Sequence, residues 1–253
     1  LLRVKKLLQD RLQGVEGLHR FLYIDTDTST FAGKPGLPAV EGNERCLIGV
    51  SKARAAVSNP DYHEWLWKRF PRDELKPQYI RRLVSGNGAS QIRSLGAAGL
   101  ALDYREVKDK IATAHNDLLG LAERKNVQVR GGVQAVGNNI LVYIVGSLAG
   151  GTGSGCFVDV AMIAQDVCQR DDTDIVGMFA IANRSYEQKV RRDKSQYNRM
   201  RSNTYAALKE LQYIMDAGDA RSESIIFPYG SAGSLELKPY DELFKFVYLI
   251  DDR

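Results

Sequence analysis

The residues best suited to chemistry are the four glycines and two hydroxyl side chains of the segment Ala-Gly-Gly-Thr-Gly-Ser-Gly at 149–155. A nearly continuous apolar run over 139–148 precedes this segment, and an apolar helix pattern over 156–168 follows it. Glycines let backbone N–H groups approach an anion closely, and a helix N-terminus adds a favourable dipole. The spacing therefore predicts a phosphate-binding loop between a buried strand and a helix. A tight turn that only lets the strand and the helix pack closely is the alternative.

Two common phosphate loops do not fit this segment. The P-loop pattern requires lysine directly after its second glycine, and the frame from Gly150 to Gly155 places Cys156 there. The dinucleotide pattern G-x-G-x-x-G also meets Cys156 where its third glycine belongs. The next predicted strand ends at Ala182 and Asn183, without the acidic residue that would hold a ribose. A nicotinamide-dependent oxidoreductase is therefore disfavoured.

The segment resembles the signature loop of the tubulin/FtsZ superfamily, a small residue followed by Gly-Gly-Thr-Gly-(Ser/Ala/Thr)-Gly. Residues 149–155 match this pattern at every position. The resemblance implies a domain that binds GTP and GDP, in which backbone N–H groups and the Thr152 and Ser154 hydroxyls bind the α- and β-phosphates. The nucleotide-binding residues that it implies in this loop are Ala149, Gly150, Gly151, Thr152, Gly153, Ser154 and Gly155.

An acidic turn formed by Asp25, Thr26 and Asp27 follows the first predicted strand. In the superfamily the corresponding loop approaches the γ-phosphate and magnesium. The resemblance therefore implies that all three residues contact the nucleotide and that the carboxylates of Asp25 and Asp27 bind Mg²⁺, which keeps much of its water shell. An Asx-type turn explains the same residues equally well, and both interpretations stay open.

A second glycine-rich stretch, Gly-Asn-Gly-Ala-Ser-Gln at 86–91, resembles the superfamily loop that senses the γ-phosphate. The resemblance implies nucleotide contacts from Gly86, Gly88, Ala89 and Ser90. A plain surface loop is the alternative.

The last predicted strand is followed by Asp251 and Asp252, where the superfamily has an asparagine that reads guanine. An aspartate at that place can still accept hydrogen bonds from guanine N1 and N2. The sequence does not choose between the two residues, and ordinary surface acids after a strand are the alternative.

Strand and helix patterns alternate along the chain. Strands are predicted at 20–25, 46–50, 139–148, 175–182, 225–227 and 244–250, and the run at 139–148 is apolar enough for a strand buried on both faces. The chain opens in an amphipathic helix whose apolar face is Leu1, Val4, Leu7, Leu8 and Leu12. This order predicts an α/β fold with a mainly parallel sheet, and the resemblance implies a Rossmann-like three-layer sandwich.

The resemblance covers most of residues 1–253, which we expect to form one tubulin-like GTP-binding domain, closest to the bacterial tubulin-like proteins. Leu1 lies inside a helix pattern without an N-cap, and 248–253 has the pattern of a strand ending in a loop. Both ends are therefore expected to be cut from something longer. The resemblance places a first strand and first glycine loop before Leu1. It places a core helix, an activation domain and the loop with the catalytic acid after Arg253.

Composition limits the classes of function. The 253 residues are 44% hydrophobic and 26% charged, as in an ordinary globular chain, and the net charge of +4 does not suggest a nucleic-acid partner. The 3 cysteines and 3 histidines are too widely spaced for a disulfide framework or a zinc site. No apolar run reaches the roughly 18 residues of a membrane helix, so we expect no transmembrane segment and a cytoplasmic location.

The function that the sequence favours is GTP binding coupled to self-association into filaments. The resemblance implies that a carboxylate from the adjoining subunit positions the attacking water, so that GTP hydrolysis depends on assembly. A nucleotide-bound scaffold or protein-interaction domain without turnover is the alternative. The charge pattern of the basic segment at 184–201 is more typical of a solvated helix face than of a patch that binds phosphate or a membrane.

Overall fold

The computed structural model describes residues 2–11, 19–33, 35–58, 64–70, 75–123, 140–168, 173–183, 193–215, 223–239 and 241–251. Its helices are α1 (Leu2–Arg11), α2 (Val50–Ser58), α3 (Glu64–Arg69), α4 (Pro77–Val84), α5 (Arg93–Leu102), α6 (Tyr104–Glu123), α7 (Thr152–Cys168) and α8 (Lys194–Met215). Its strands are β1 (Tyr23–Asp25), β2 (Arg45–Leu47), β3 (Ile140–Ser147), β4 (Thr173–Ala180), β5 (Ile225–Pro228), β6 (Ser234–Leu237) and β7 (Phe246–Ile250).

Most strands pair in parallel. β1 pairs with β2, and β3, β4 and β7 form a three-stranded sheet with β4 in the middle. Only β5 and β6, among the described strands, pair antiparallel. The predicted α/β class, with Rossmann-like alternation of helices and mainly parallel strands, is confirmed. Because parallel strands all end at the same edge of a sheet, the loops after β3, β4 and β7 lie along one edge.

The core lies around α5 and α7. Residues 94–102 of α5 are all buried, and the small residues among them let other elements approach closely. α7 covers one face of the three-stranded sheet, where the Phe157 ring lies 5.2 Å from the Phe179 ring and 6.5 Å from the Phe244 ring. This packing fixes the start of α7 at the end of β3.

The other face of the three-stranded sheet is open in the described part of the chain. Leu141 and Tyr143 of β3 are 49% and 56% exposed, and Phe246 and Tyr248 of β7 share their face by register. The prediction that this strand is buried on both faces is therefore wrong. Alternate residues of a strand point to opposite faces, and α7 covers the face that carries Phe179.

The prediction of which side chains of the first helix face the interior is also wrong. Val4 and Leu7 are 45% and 50% exposed, whereas Lys5 is buried. The ammonium of Lys5 donates to both carboxylate oxygens of Glu44 at 2.7 and 2.8 Å, and its aliphatic stem is long enough to reach them from α1. A paired charge thus takes the buried position. Leu1 and Leu12 of the predicted face lie outside the described residues.

Several element bounds differ from the prediction. α5 begins at Arg93, two residues after the glycine-rich stretch at 86–91, and its Gly96 faces the start of α7 rather than forming a turn. The hairpin strand β6 has no predicted counterpart, and 184–192 of the basic segment lies outside the described residues. None of the helices in the described ranges is long and apolar enough to cross a membrane.

The three cysteines are free and buried. Burial raises the pKa of Cys46 to about 12 and that of Cys168 to about 11. Burial also raises the pKa of Cys156, whose thiol donates to the carbonyl oxygen of Gly96 at 3.1 Å. Because the thiolate is the reactive species, these groups behave as packing residues near neutral pH.

Tyr23 gives the fold an alkaline sensitivity that phenylalanine is expected to reduce. Burial, and next the charge of Glu44, raise the pKa of Tyr23 to about 12. The unfolded chain therefore loses this proton at lower pH than the folded one, so the stability contribution is complete below about pH 10 and is lost towards pH 12. The buried Tyr23 hydroxyl has no hydrogen-bond partner among the described residues. We expect Tyr23→Phe to preserve stability at pH 8 and to weaken its alkaline decline, as measured by urea unfolding at several pH values. An unchanged decline would contradict this assignment.

Candidate functional site

Two helices begin side by side at the carboxyl edge of β3. A Cβ atom on Gly155 of α7 would overlap the carbonyl oxygen of Arg93, the first residue of α5. A Cβ atom on Gly96 would in turn overlap the carbonyl oxygen of Gly151. The two N-termini are thus held together by glycine contacts. Each carries unpaired N–H groups and the positive end of a helix dipole, and together they favour an anion.

The loop at 148–151 also contacts the loop at 85–92. A Cβ atom on Gly151 would lie 2.8 Å from the Cβ of Ala89 and 2.9 Å from the backbone nitrogen of Ile92. Gly86 and Gly88 have φ angles of 66° and 76°, which glycine adopts without strain. The structure therefore brings together the two glycine-rich segments that the sequence analysis selected.

Gly150 differs from the other glycines of its loop. Gly153 has no room for a side chain, because a Cβ there would lie 2.6 Å from the carbonyl oxygen of Ser147. A Cβ on Gly150 would meet nothing within 4 Å, and its φ is not in the left-handed region. In the described part of the chain the N–H groups of Gly150 and Gly151 have no hydrogen-bond partner. Packing explains the other glycines of the loop, whereas a Cβ on Gly150 would enter open space beside the unpaired N–H of the same residue.

Asp25 ties the end of β1 to the start of α7. Its Oδ1 accepts from the backbone N–H of Thr26 at 2.7 Å and from the hydroxyl of Thr152 at 3.1 Å. The Thr26 and Thr152 hydroxyl oxygens lie 2.7 Å apart. The other carboxylate oxygen of Asp25, Oδ2, accepts from the Thr30 hydroxyl at 3.0 Å. Both carboxylate oxygens are therefore already hydrogen-bonded by the protein, and Asp25 holds the loops together.

Asp27 is better suited than Asp25 to a hydrated cation. Its Oδ1 accepts from the Ser29 N–H at 2.8 Å, while its Oδ2 has no partner among the described residues. Asp27 and Asn87 form an isolated antiparallel β-bridge, and the Gly88 N–H donates to the backbone carbonyl oxygen of Thr26 at 3.2 Å. Asp27 therefore lies where the loop after β1 meets the loop at 85–92. The described residues hold no group of three or more metal-ligating side chains. A magnesium ion would thus fit only with phosphate and water as most of its ligands, which is common for this ion.

The loop hydroxyls are turned towards the protein. Ser154 is fully buried and donates to the carbonyl oxygen of Gly150, and Thr152 donates to Asp25. The resemblance of the signature loop predicts that both hydroxyls bind phosphates. In this structure the free donors of the loop are backbone N–H groups instead.

Ser90 and Asp251 lie towards the margins of this arrangement. Ser90 is exposed and has a φ of 49° in the loop next to α5. Asp251 follows β7, which lies two strands from β3 in the sheet, or about 10 Å across. The structure puts Asp251 at the same sheet edge as the loop after β3. Asp252 lies outside the described residues.

Two side chains that are not among the predicted site residues, Arg93 and Asn203, hold these loops. Arg93 donates to the carbonyl oxygen of Ser154 at 2.8 Å and forms an ion pair with Glu210 of α8. Asn203 of α8 donates to both glycine-rich loops. No sequence signal marks these residues, because each contact joins segments far apart in the chain.

The alternating parallel strands, with the glycine-rich loops packed together at the carboxyl edge of β3, define an α/β domain of Rossmann-like type. The family described as “Tubulin like” matches residues 1–253. The chain therefore belongs to the tubulin-like family, which confirms the superfamily resemblance of the signature loop. The comparisons with curated proteins and with solved structures give no match.

Proposed function

We propose that this chain binds a guanine nucleotide, GTP or GDP with Mg²⁺, at the loops at 85–92 and 148–155. The observation that carries the proposal is the open space over Gly150, next to two unpaired N–H groups and two helix N-termini. Backbone donors with glycine above them suit phosphate oxygens, because no side chain stands between donor and anion. Family membership supports the same conclusion.

Each part of the proposed site has its own task. The N–H groups of Gly150 and Gly151 bind phosphate oxygens, and the helix dipoles of α5 and α7 favour the negative charge. Asp27 accepts hydrogen bonds from water around the magnesium ion, which when bound neutralises phosphate charge. Asp25 stays hydrogen-bonded to the Thr152 hydroxyl and keeps the two loops in place. Asp251 or Asp252 accepts from the guanine base.

Base recognition predicts discrimination between GTP and ITP. ITP lacks the 2-amino group, so an aspartate that accepts from guanine N1 and N2 loses one charge-assisted hydrogen bond. We expect ITP to bind more weakly by about 1.5–3 kcal/mol. Isothermal titration with GTP, GDP, ITP and ATP measures this difference, and Asp251→Asn shows whether Asp251 supplies the acceptor. Equal affinities for GTP and ITP would remove both aspartates from the site, and equal affinities for GTP and ATP would remove the guanine preference.

We further propose that the chain self-associates into filaments and that a carboxylate of the adjoining subunit completes GTP hydrolysis. Phosphoryl transfer depends on positioning and charge stabilisation, so a catalytic group supplied by a neighbour makes turnover depend on assembly. The test is phosphate release per molecule of the full-length protein over a range of protein concentrations, with light scattering recorded in parallel. Release that rises with concentration supports hydrolysis in trans. Tight GTP binding without release supports the alternative, a nucleotide-bound scaffold.

A further inference from the structure

Asn203 of α8 contacts the backbone of both glycine-rich loops. Its Nδ2 donates to the carbonyl oxygens of Gln91 at 2.9 Å, Ala149 at 3.1 Å and Gly150 at 3.3 Å. The side chain is buried, at 9% exposed. Three carbonyl acceptors surround one amide group, so the Nδ2 side of the amide must face them.

These hydrogen bonds fix the direction of the loop's N–H groups. A trans peptide unit is planar, and its C=O and N–H point in opposite directions. Anchoring the carbonyl of Ala149 on Asn203 therefore turns the N–H of Gly150 away from α8. The carbonyl of Gly150 accepts from both Asn203 and the Ser154 hydroxyl, and this anchoring fixes the N–H of Gly151 in the same way. The N–H groups of Gly150 and Gly151 are the two unpaired donors of the loop.

The third hydrogen bond holds a strained part of the other loop. Gln91 has a φ of 63° and follows Ser90 with a φ of 49°, so two consecutive residues other than glycine are left-handed. Such residues persist where the surroundings hold them. The Gln91 carbonyl is bound by Asn203, and the Gln91 side chain lies 3.5 Å from Arg199 of the same helix. One amide group thus ties both loops to α8.

We propose that Asn203 is a positioning residue that aims the Gly150 and Gly151 N–H groups at a phosphate of the bound nucleotide, through the carbonyls of Ala149 and Gly150. This role rests on the proposed nucleotide binding. It requires a neutral donor of this length, because the atoms that it meets are all hydrogen-bond acceptors. A carboxylate in its place would face three carbonyl oxygens with the same sign of partial charge.

The test compares Asn203→Leu and Asn203→Asp with the wild type in fluorescent GDP binding. Leucine has a similar shape and no donor, and we expect it to weaken binding about tenfold or more while the protein stays folded. Asn203→Asp keeps one donor only while its carboxyl is protonated. Its affinity relative to the wild type is therefore expected to fall as pH rises, which loss of packing alone would not produce.

Thr204→Val provides the matched control. Thr204 is the next residue of α8, is also buried, and accepts from the Ala182 N–H at 3.1 Å; in the described part of the chain its hydroxyl makes no hydrogen bond to either glycine loop. We expect Thr204→Val to shift the unfolding midpoint by about as much as Asn203→Leu does, and to keep the GDP affinity of the wild type. Wild-type affinity in folded Asn203→Leu, or a pH-independent ratio for Asn203→Asp, would overturn the role of Asn203 alone. Absence of nucleotide binding by the wild type would instead overturn the proposed function and this role with it.

Discussion

Valine in place of Gly150 is expected to abolish tight nucleotide binding and to leave the fold intact. A Cβ atom at this position meets no protein atom within 4 Å, and a valine there occupies the open space beside the unpaired Gly150 N–H. Loss of two hydrogen bonds to a charged phosphate corresponds to about 3 kcal/mol or more. We therefore expect the dissociation constant for GDP to rise about a hundredfold or more, measured by isothermal titration.

Two other glycines separate this effect from stability. Gly120 of α6 also has nothing within 4 Å of an added Cβ, so Gly120→Val should change neither GDP affinity nor folding appreciably. Gly155→Ala places a methyl group on the Arg93 carbonyl oxygen and should destabilise the fold by about 1–3 kcal/mol, as overpacking does. Wild-type GDP affinity in folded Gly150→Val would exclude the loop at 148–155 as the phosphate site.

The parts of this site that could be predicted from the sequence are local in the chain. Residues 149–155 form one continuous motif, and apolar runs on both sides mark the strand and the helix that it joins. Asp25 lies at the end of a predicted strand, and 86–91 resembles a superfamily loop as one continuous segment; the structure brings both to the start of α7. The signature loop pointed to the tubulin-like family for the same reason. The closer kinship with bacterial tubulin-like proteins stays a prediction.

Contacts between distant segments could not be predicted in this way. Asn203 meets the carbonyl of a residue 54 positions earlier in the chain, and its own surroundings in sequence look like any helix. Lys5 is buried only because Glu44, 39 positions later, neutralises it. The four residues of β6 alternate exposed and buried, a pattern too short to distinguish from a loop. In each case a contact with a distant segment determines the burial or the secondary structure, and a single sequence gives no information about such contacts.

A buried ion pair links the middle of α7 to α3. Asp159, in the middle of α7, accepts from the Arg69 guanidinium of α3 and from the Tyr229 hydroxyl at 2.6 Å. The side chains of Arg69 and Asp159 are 11% and 4% exposed. Burial, and next the charge of Asp159, raise the pKa of Tyr229, so its hydroxyl stays a donor. The Tyr104 ring stacks on the Tyr229 ring with centroids 4.0 Å apart.

Arg69→Met is expected to destabilise the protein by about 3–5 kcal/mol, because it leaves the Asp159 carboxylate buried without its countercharge. Urea unfolding gives this value from the shift in midpoint. Lys68→Met on the same helix is the matched control. The Lys68 and Glu64 side chains are 72% and 68% exposed, and such exposed pairs contribute about 0–1 kcal/mol. Equal effects of the two methionine variants would show that burial of the Arg69–Asp159 pair does not decide its contribution.

A triple variant distinguishes the penalty of an unpaired charge from the value of the pair itself. Arg69→Met, Asp159→Leu and Tyr229→Phe together remove all three polar partners and keep side chains of similar size. Buried ion pairs replaced in this way often leave stability unchanged or increased, since the desolvation of both charges disappears with their attraction. We therefore expect the triple variant to regain most of the stability that Arg69→Met loses. If the triple variant is instead less stable than Arg69→Met, the attraction between Arg69 and Asp159 exceeds the cost of desolvating the two charges. The ion pair then stabilises the position of α7 by more than apolar side chains of similar size can.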